Sequence, residues 1–248
     1  MKIIIMAGGL GTRISEETSD KPKPMVLIGN KPIIWHIMNI CIIQGFNEFV
    51  ISTGYKSEVI DDWLTNLNGE IEILEDRKVF RLPRFKVTTI YTGLDTQTGG
   101  RIAKCMKKFP GERIIATYGD GLANISISKL LDFHESNQRL ATVTAVRPPA
   151  RFGYLLINDK KVTHFGEKNQ ADAGWINGGF FVLESEVANY VKDDGESFES
   201  GALPRLVSED NLMAYLHEGF WQPMDTLREK MDLEKLALLD SPPWIKIE

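Results

Sequence analysis

The N-terminal segment constrains the fold more than any other part of this sequence. An apolar run, Lys2 to Met6, leads without a break into the glycine-rich stretch Ala7-Gly8-Gly9-Leu10-Gly11-Thr12-Arg13. A strand that ends in such a turn allows backbone N–H groups to approach phosphate oxygens closely. Positive charge follows at Arg13, Lys21 and Lys23. The pattern therefore predicts a strand, a tight loop and an anion-binding site at the start of an α/β fold.

Two common types of glycine loop are excluded by their spacing. The P-loop ends in Gly-Lys-Ser/Thr, and this loop does not. The dinucleotide-binding fingerprint has a third glycine where this chain has Ile14. Taken alone, the loop also fits an ordinary turn between a strand and a helix, so the neighbouring motifs must decide its function.

Short apolar runs alternate with longer runs of helical spacing, which predicts alternating strands and helices. The predicted strands are Lys2 to Met6, Phe49 to Thr53, Val87 to Tyr91, Arg113 to Tyr118, Ala141 to Val146, Tyr154 to Ile157, Val162 to Phe165 and Trp175 to Leu183. The predicted helices are Ile33 to Ile43, Ser57 to Leu67, Gly100 to Lys108, Glu186 to Val191, Leu203 to Ser208 and Thr226 to Leu239. This order predicts a Rossmann-like α/β fold: a mixed, mainly parallel sheet flanked by helices, with a small C-terminal annex. We expect a single domain over residues 1–248, and a mobile excursion or a partner contact in the weakly periodic segment Asn68 to Phe85.

Composition and charge exclude some classes of binding partner. The 248 residues carry 29 Lys plus Arg against 34 Asp plus Glu, a net charge of −5, so the chain has no general basic field for nucleic acid. Cys41 and Cys105 have no second Cys or His at metal-ligand spacing, which predicts reduced structural thiols. The longest apolar stretch, Ile33 to Ile43, is interrupted by His36 and Asn39, and no leader precedes the first strand. We therefore expect no membrane partner and a cytoplasmic protein.

Polar and glycine residues follow several predicted strands, where open parallel sheets bind their ligands. One strand ends in Tyr118-Gly119-Asp120. The Asp120 carboxylate either projects from this turn into open space or bonds its own backbone, and the local sequence leaves both possibilities open. A single carboxylate holds Mg²⁺ poorly, and Asp225 offers a second one. By its local sequence alone, Asp225 fits an N-cap of the last helix better than a metal ligand.

Six segments match one family in the same order and over nearly the whole chain. They are Gly8 to Ile14, Lys21 to Met25, Thr98 to Arg101, Thr117 to Gly121, Trp175 to Leu183 and Gly219 to Arg228. The first two segments resemble the G-G-x-G-T-R-L and P-K-P signature of the sugar-nucleotide pyrophosphorylases, with Ile14 in place of leucine. Taken together, the segments resemble the glucose-1-phosphate cytidylyltransferases, which implies the nucleotidyltransferase fold.

The resemblance also implies functional residues. Nucleotide binding is implied for Ala7, Gly8, Gly9, Gly11, Thr12, Arg13, Lys23, Thr98, Gly99, Gly100, Arg101, Tyr118, Gly119 and Asp120. Substrate binding is implied for Glu167, Lys168, Asn177 and Gly178, and Mg²⁺ binding for Asp120 and Asp225. The implied catalytic residues are Arg13 and Lys23, on the β and γ phosphates, and Lys168, on the sugar phosphate. By local sequence, Glu167 and Lys168 also fit an exposed ion pair in a hairpin.

The reaction implied by the resemblance is a direct displacement with Mg²⁺ as cofactor. A phosphate oxygen of α-D-glucose 1-phosphate attacks the α-phosphorus of CTP, and pyrophosphate leaves. The family also implies a homo-oligomer. Asn169 stands where the family has proline, and the segment 68–85 is shorter than in the family. These departures motivate an alternative, a transferase of this fold that uses another nucleotide or another phosphorylated acceptor.

A second alternative is a catalytically silent, regulatory subunit that binds a nucleotide sugar. A silent subunit has no need for both metal carboxylates and all three phosphate-binding cations. The sequence retains all five of these residues. We therefore favour the enzyme.

Overall fold

The computed structural model describes residues 1–148, 153–158, 160–167 and 174–247, and it describes the backbone alone for 153–157 and 164–167. Fifteen strands and seven α-helices lie in this described part of the chain. The strands are β1 (Lys2–Met6), β2 (Leu27–Ile28), β3 (Lys31–Pro32), β4 (Glu48–Thr53), β5 (Glu70–Ile73), β6 (Lys78–Arg81), β7 (Lys86–Tyr91), β8 (Ile114–Tyr118), β9 (Gly121–Ala123), β10 (Ala141–Val146), β11 (Gly153–Asn158), β12 (Lys161–Glu167), β13 (Ile176–Leu183), β14 (Leu212–His217) and β15 (Trp221–Pro223). The α-helices are α1 (Ser15–Thr18), α2 (Ile33–Ile42), α3 (Ser57–Thr65), α4 (Thr98–Lys107), α5 (Ile127–Asn137), α6 (Ala202–Ser208) and α7 (Leu227–Ala237).

Nine strands form one mixed sheet in the order β14-β10-β13-β8-β1-β4-β7-β6-β5. Its centre is parallel, because β1 pairs with both β4 and β8, and β4 pairs with β7. Parallel neighbours need crossover connections, which the helices between these strands supply. The carboxyl ends of the central strands therefore meet at one edge of the sheet.

The register of the central strands places two loops that carry implied site residues side by side. Met6 at the end of β1 lies beside Tyr118 at the end of β8. The glycine loop after Met6 and the turn that contains Asp120 consequently leave the sheet next to each other.

Hydrophobic cores cover both faces of the sheet. Alternate residues of β1 point to opposite faces, with Ile3 and Ile5 in one core and Ile4 and Met6 in the other. Helices α2, α3, α5 and α7 contribute to the first core, and α4 and α6 contribute to the second. Trp244, near the C-terminus, is fully buried in the first core, so the predicted C-terminal annex packs directly on the sheet domain.

The predicted α/β architecture is confirmed, and most predicted elements agree with the structure within a few residues. The predicted hairpin around Asn158 is confirmed by the antiparallel pairing of β11 with β12. The helix predicted over Glu186 to Val191 is instead a 3₁₀-helix over Ser185–Tyr190. Short helical segments that connect other elements often form i→i+3 hydrogen bonds. The spacing of apolar residues does not distinguish such a 3₁₀-helix from a short α-helix.

The segment Asn68 to Phe85 contains strands where the sequence indicated none. Strands β5 and β6 form an antiparallel hairpin, and β6 also pairs with β7, so the hairpin extends the main sheet. The sequence reading also missed α5 and β14. Strand β14 is mostly apolar in sequence, but it lies at the sheet edge and only His217 is buried, so its apolar residues do not alternate with polar ones as in a typical half-buried strand.

Both cysteines are buried, free thiols. Burial raises the pKa of Cys105 to about 12, so this thiol is unreactive at neutral pH. The prediction of structural thiols is confirmed. In the portion of the chain that the structure describes, no helix has both the length and the apolar character to cross a bilayer.

Candidate active site

A cleft of about 940 Å³ lies at the sheet edge where β1 and β8 end. Its walls are the glycine loop, the start of α4, the turn after β8, the start of β13 and the segment before α7. The structure places most of the implied site residues in this one cleft. They are Ala7, Gly8, Gly9, Gly11, Thr12, Arg13, Lys23, Thr98, Arg101, Tyr118, Gly119, Asp120, Asn177 and Asp225.

Three implied glycines do not line the cleft. A Cβ at Gly99 or Gly100 would lie 2.7 Å from a backbone carbonyl oxygen of the 194–196 segment, so both glycines allow α4 to pack closely against that segment. Gly178 is buried in β13, and its carbonyl oxygen accepts a 2.8 Å hydrogen bond from the indole of Trp221. Trp221 lines the cleft, and its position next to the Asp225 turn was the only sequence signal for it.

The implied sugar-phosphate residues are only partly within the described structure. Asn177 lies at the start of β13 and lines the cleft. The backbone of Glu167 ends β12, whereas its side chain and the whole of Lys168 lie outside the described residues.

Four charged side chains form the centre of the cleft, and we call Arg13, Lys23, Asp120 and Asp225 the charge cluster. The Lys23 ammonium donates to Asp120 Oδ2 at 2.5 Å and to Asp225 Oδ1 at 2.6 Å. Arg13 donates to the other oxygen of Asp225 at 2.8 Å. Asp120 therefore points across the cleft to Lys23, which resolves the two possibilities that its local sequence left open.

Local structure holds each member of the charge cluster in place. Lys23 begins a 3₁₀-turn, Lys23–Met25, with proline on either side. Asp225 immediately precedes Thr226, which is the N-cap of α7. Glu229 completes a capping box with Thr226 and also accepts the backbone N–H of Asp225 at 2.8 Å. The N-cap role that the local sequence favoured for Asp225 thus belongs to Thr226, and the Asp225 carboxylate faces the cleft.

The two carboxylates of the charge cluster are suitable ligands for Mg²⁺. Asp120 and Asp225 both contact one small cation, the Lys23 ammonium, so their oxygens converge on a common point. Protein sites for Mg²⁺ often supply only one or two carboxylates and leave the remaining positions to water and substrate phosphates. In the described residues, no cluster of three or more His, Cys, Asp or Glu side chains forms a self-contained metal site. The arrangement therefore fits a metal ion that arrives with a phosphate ligand.

Arg101 lies beneath the glycine loop and is buried. Its guanidinium donates to five oxygens at the ends of three parallel strands. They are the carbonyl oxygens of Gly8 (2.8 Å), Gly93 (2.9 Å), Thr53 (3.2 Å) and Leu94 (3.2 Å) and the hydroxyl of Thr92 (2.6 Å). Burial lowers the pKa of Arg101, and these acceptors replace the lost water.

A chain of hydrogen bonds connects the implied nucleotide and sugar ends of the cleft. The Asn177 amide donates to the Tyr118 hydroxyl at 2.8 Å, and that hydroxyl donates to the Glu199 carboxylate. Glu199 also accepts from Thr98 Oγ1 and from Ser197 Oγ, each at 2.6 Å. Sequence reasoning missed Glu199 because it lies in an irregular segment without a recognisable motif.

This network keeps Tyr118 neutral and Glu199 charged. Burial, reinforced by the nearby Glu199 charge, raises the pKa of Tyr118 well above its usual range. Burial acts to raise the pKa of Glu199, but the three hydroxyl donors outweigh it and hold the pKa below its ordinary value of 4.5. Tyr118 therefore remains a donor, and Glu199 remains an acceptor, at neutral pH.

Replacing Glu199 by Gln is expected to destabilise the protein in a pH-dependent way. A carboxylate whose folded-state pKa is depressed stabilises the fold above its unfolded-state pKa, and this contribution disappears as pH falls through the folded-state pKa. The difference in free energy of unfolding between wild type and E199Q should reach its maximum above about pH 5 and decrease below about pH 4. Urea denaturation across this range measures it, and E218Q, at an exposed glutamate, is the control. A pH-independent difference would contradict the role of the charge.

Comparison with known proteins identifies the family. The model of the nucleotidyl transferase family matches residues 2–230. The chain is 43% identical to the glucose-1-phosphate cytidylyltransferase of Salmonella typhimurium, covering 98% of both chains. It is 39% identical to the probable glucose-1-phosphate cytidylyltransferase of Bacillus subtilis, over 98% of this chain and 99% of the relative.

Solved structures support the fold. The crystal structure of HddC from Yersinia pseudotuberculosis in complex with GMP-PN superimposes with a TM-score of 0.71 and 24% identity, over 94% of this chain and 98% of that chain. At this identity the similarity concerns the fold alone. The full-length sequence matches, by contrast, extend through every segment that lines the cleft, and the chain therefore belongs to the nucleotidyl transferase family and, within it, to the glucose-1-phosphate cytidylyltransferases.

Proposed function

We propose that this chain is an enzyme that transfers the cytidylyl group of CTP to α-D-glucose 1-phosphate, forming CDP-glucose and pyrophosphate. The observation that carries the proposal is the identity of 43% over 98% of both chains to the Salmonella typhimurium glucose-1-phosphate cytidylyltransferase. The geometry supports the transfer chemistry independently, because a glycine loop, two cations and two carboxylates meet in one cleft.

The reaction joins two anionic substrates, so charge neutralisation and alignment dominate the catalysis. A phosphate oxygen of the sugar phosphate forms a bond to the α-phosphorus of CTP as the bond to pyrophosphate breaks. We assign Arg13 and Lys23 to the β and γ phosphates of the leaving group, whose charge they would neutralise. Asp120 and Asp225 would hold Mg²⁺, which supplies further neutralisation of the phosphates. We assign Lys168 to the acceptor phosphate on the basis of the family resemblance.

We assign the nucleoside and the sugar to opposite ends of the cleft. We place the nucleoside at Ala7, Gly8, Gly9 and the start of α4, because these residues line the cleft beside Arg101. We place the sugar near Asn177, where the family resemblance also places Glu167 and Gly178. The hydrogen-bond chain from Asn177 to Thr98 supports a shared wall between the two substrates.

We also propose a homo-oligomeric, cytoplasmic enzyme that folds as one domain with Mg²⁺ as its metal. The single nine-stranded sheet, with strands from Lys2–Met6 to Leu212–His217, supports one domain. Two buried free thiols fit a reducing compartment.

Exposed apolar residues on the edge hairpin, among them Ile71 and Ile73, support a contact between subunits. Size-exclusion chromatography with light scattering tests the oligomer, and a monomeric mass would contradict it.

Pyrophosphate release tests the proposed reaction. CTP, UTP, dTTP, ATP and GTP are each assayed with glucose 1-phosphate, and CTP is then assayed with mannose 1-phosphate, all with Mg²⁺. We expect turnover with CTP and glucose 1-phosphate at a kcat/KM at least about tenfold above any other pair, which corresponds to about 1.4 kcal/mol of discrimination. Equal or better turnover with another nucleotide or acceptor would favour the alternative transferase. Binding of CDP-glucose without any turnover would favour the silent subunit.

A further inference from the structure

The two carboxylates proposed to hold Mg²⁺ already share a cation that belongs to the chain. The Lys23 ammonium contacts Asp120 at 2.5 Å and Asp225 at 2.6 Å, and the Lys23 side chain is only 9% exposed. Arg13 contacts the second oxygen of Asp225 from the solvent side. The charge cluster is therefore internally neutral, with two positive and two negative charges.

Lys23 is held firmly beside the Asp120 turn. A Cβ at Gly119 would lie 2.7 Å from Pro24 Cγ, so the missing side chain allows the Lys23–Met25 turn to pack directly against the turn after β8. The prolines that flank Lys23 restrict its backbone. A change of partner at Lys23 is thus confined to rotations of its side chain.

From this arrangement we infer that Lys23 is a positioning residue for the metal site as well as a phosphate ligand. In the nucleotide-free enzyme it holds Asp120 and Asp225 together and prevents them from retaining a divalent cation by themselves. An ammonium in contact with both carboxylates cancels one of their two negative charges and repels any second cation nearby. The inference rests on the proposed function, because it takes these two carboxylates as the metal ligands.

Nucleotide binding offers Lys23 a replacement partner. The triphosphate is strongly anionic, so the Lys23 ammonium can leave the carboxylates without losing its charge neutralisation. Once Lys23 has left, the carboxylates are free for a divalent cation that the phosphates also bind. Metal and nucleotide therefore bind together, and Lys23 exchanges its partner in the same event.

Binding of Mn²⁺ to the nucleotide-free protein tests this inference without any turnover. Free Mn²⁺ is followed by electron paramagnetic resonance in titrations of wild type, K23M, K23R and K107M. Lys107 is an exposed lysine at the end of α4 and serves as a matched control. We expect K23M to bind one Mn²⁺ at least about tenfold more tightly than wild type, because loss of the ammonium leaves the charge cluster with one positive and two negative charges and removes the cation from Asp120. K23R and K107M should remain within about twofold of wild type, and adding D120N to K23M should remove the gain.

The direction of the change in Mn²⁺ affinity distinguishes a positioning role of Lys23 from a role in packing alone. Loss of a packing residue would leave Mn²⁺ binding unchanged or weaker, and either result in a K23M protein with a native near-ultraviolet circular dichroism spectrum would overturn the inference. Tight, D120N-sensitive Mn²⁺ binding by the nucleotide-free wild type would overturn it too, as would an equal gain in K23R. The titration contains neither CTP nor sugar phosphate, so a failure of this inference is distinguished from a failure of the proposed reaction, which the pyrophosphate assay detects separately.

Discussion

Replacing Asp120 by Asn is expected to lower kcat about 30- to 1000-fold, a loss of about 2–4 kcal/mol of transition-state stabilisation. The substitution retains the shape of the side chain but removes one of the two charges that converge on Lys23. It thereby weakens the proposed Mg²⁺ site and the alignment of the triphosphate. Steady-state pyrophosphate release at saturating CTP and glucose 1-phosphate measures the effect.

An exposed aspartate supplies the matched control for Asp120. Asp132 lies on α5, away from the cleft, and D132N makes the same chemical change there. We expect D132N to retain wild-type kcat. We also expect D225N to resemble D120N, and the double variant to lose less than the sum of the two single losses, because both carboxylates act on one cation. A D120N enzyme with wild-type kcat at wild-type stability would rule out the proposed role of this carboxylate.

Replacing Gly8 by Ala is expected to reduce the free energy of unfolding by about 2–4 kcal/mol and to weaken CTP binding at least about tenfold. A Cβ at Gly8 would lie 2.0 Å from Arg101 Nη1 and 2.4 Å from Arg101 Cζ. The end of a surface arginine would move away at little cost, but this guanidinium is buried and donates to five oxygens at three strand ends. Either the arginine gives up several charge-assisted hydrogen bonds or the loop shifts away from the sheet.

Gly9 provides an unusually close control for Gly8. It is the next residue of the same loop, and a Cβ there would meet no atom within 4 Å. G9A should therefore retain wild-type stability in urea denaturation, whereas G8A should not. Isothermal titration with CTP completes the comparison. Equal stability losses in G8A and G9A would show that the loop tolerates no side chain at all, and the explanation through Arg101 would be wrong.

The sequence predicted the central architecture correctly because its signals are local. The run Lys2–Met6 followed by glycines, and the apolar spacing of α2, report strand and helix periodicity within a single segment. Sequence patterns did not predict elements whose stability depends on pairing with neighbouring elements. Strand β5 has exposed side chains throughout, and its pairing with β6 is what makes it a strand.

The candidate site shows the same division between local and tertiary information. Residue types and short motifs predicted an anion site at the glycine loop and Lys23, because phosphate binding demands particular donors, whereas the metal roles of Asp120 and Asp225 were implied by the family resemblance. The family resemblance also implied a nucleotide-binding role for Arg101, although the pattern contained no sign of the carbonyl oxygens to which its guanidinium donates. Glu199 escaped notice, since an isolated glutamate in an irregular segment has no distinguishing pattern.

The sequence by itself determined the alternation of the central strands and helices and the chemical groups available for a nucleotidyl transferase. Only the tertiary structure decided which of those groups meet. Lys23 contacts Asp120 across 97 residues of chain and Asp225 across 202, because parallel pairing aligns the ends of β1 and β8 and α7 packs back onto the first core. Such contacts depend on strand register and helix packing, which are properties of the whole sheet and are not encoded in any one segment.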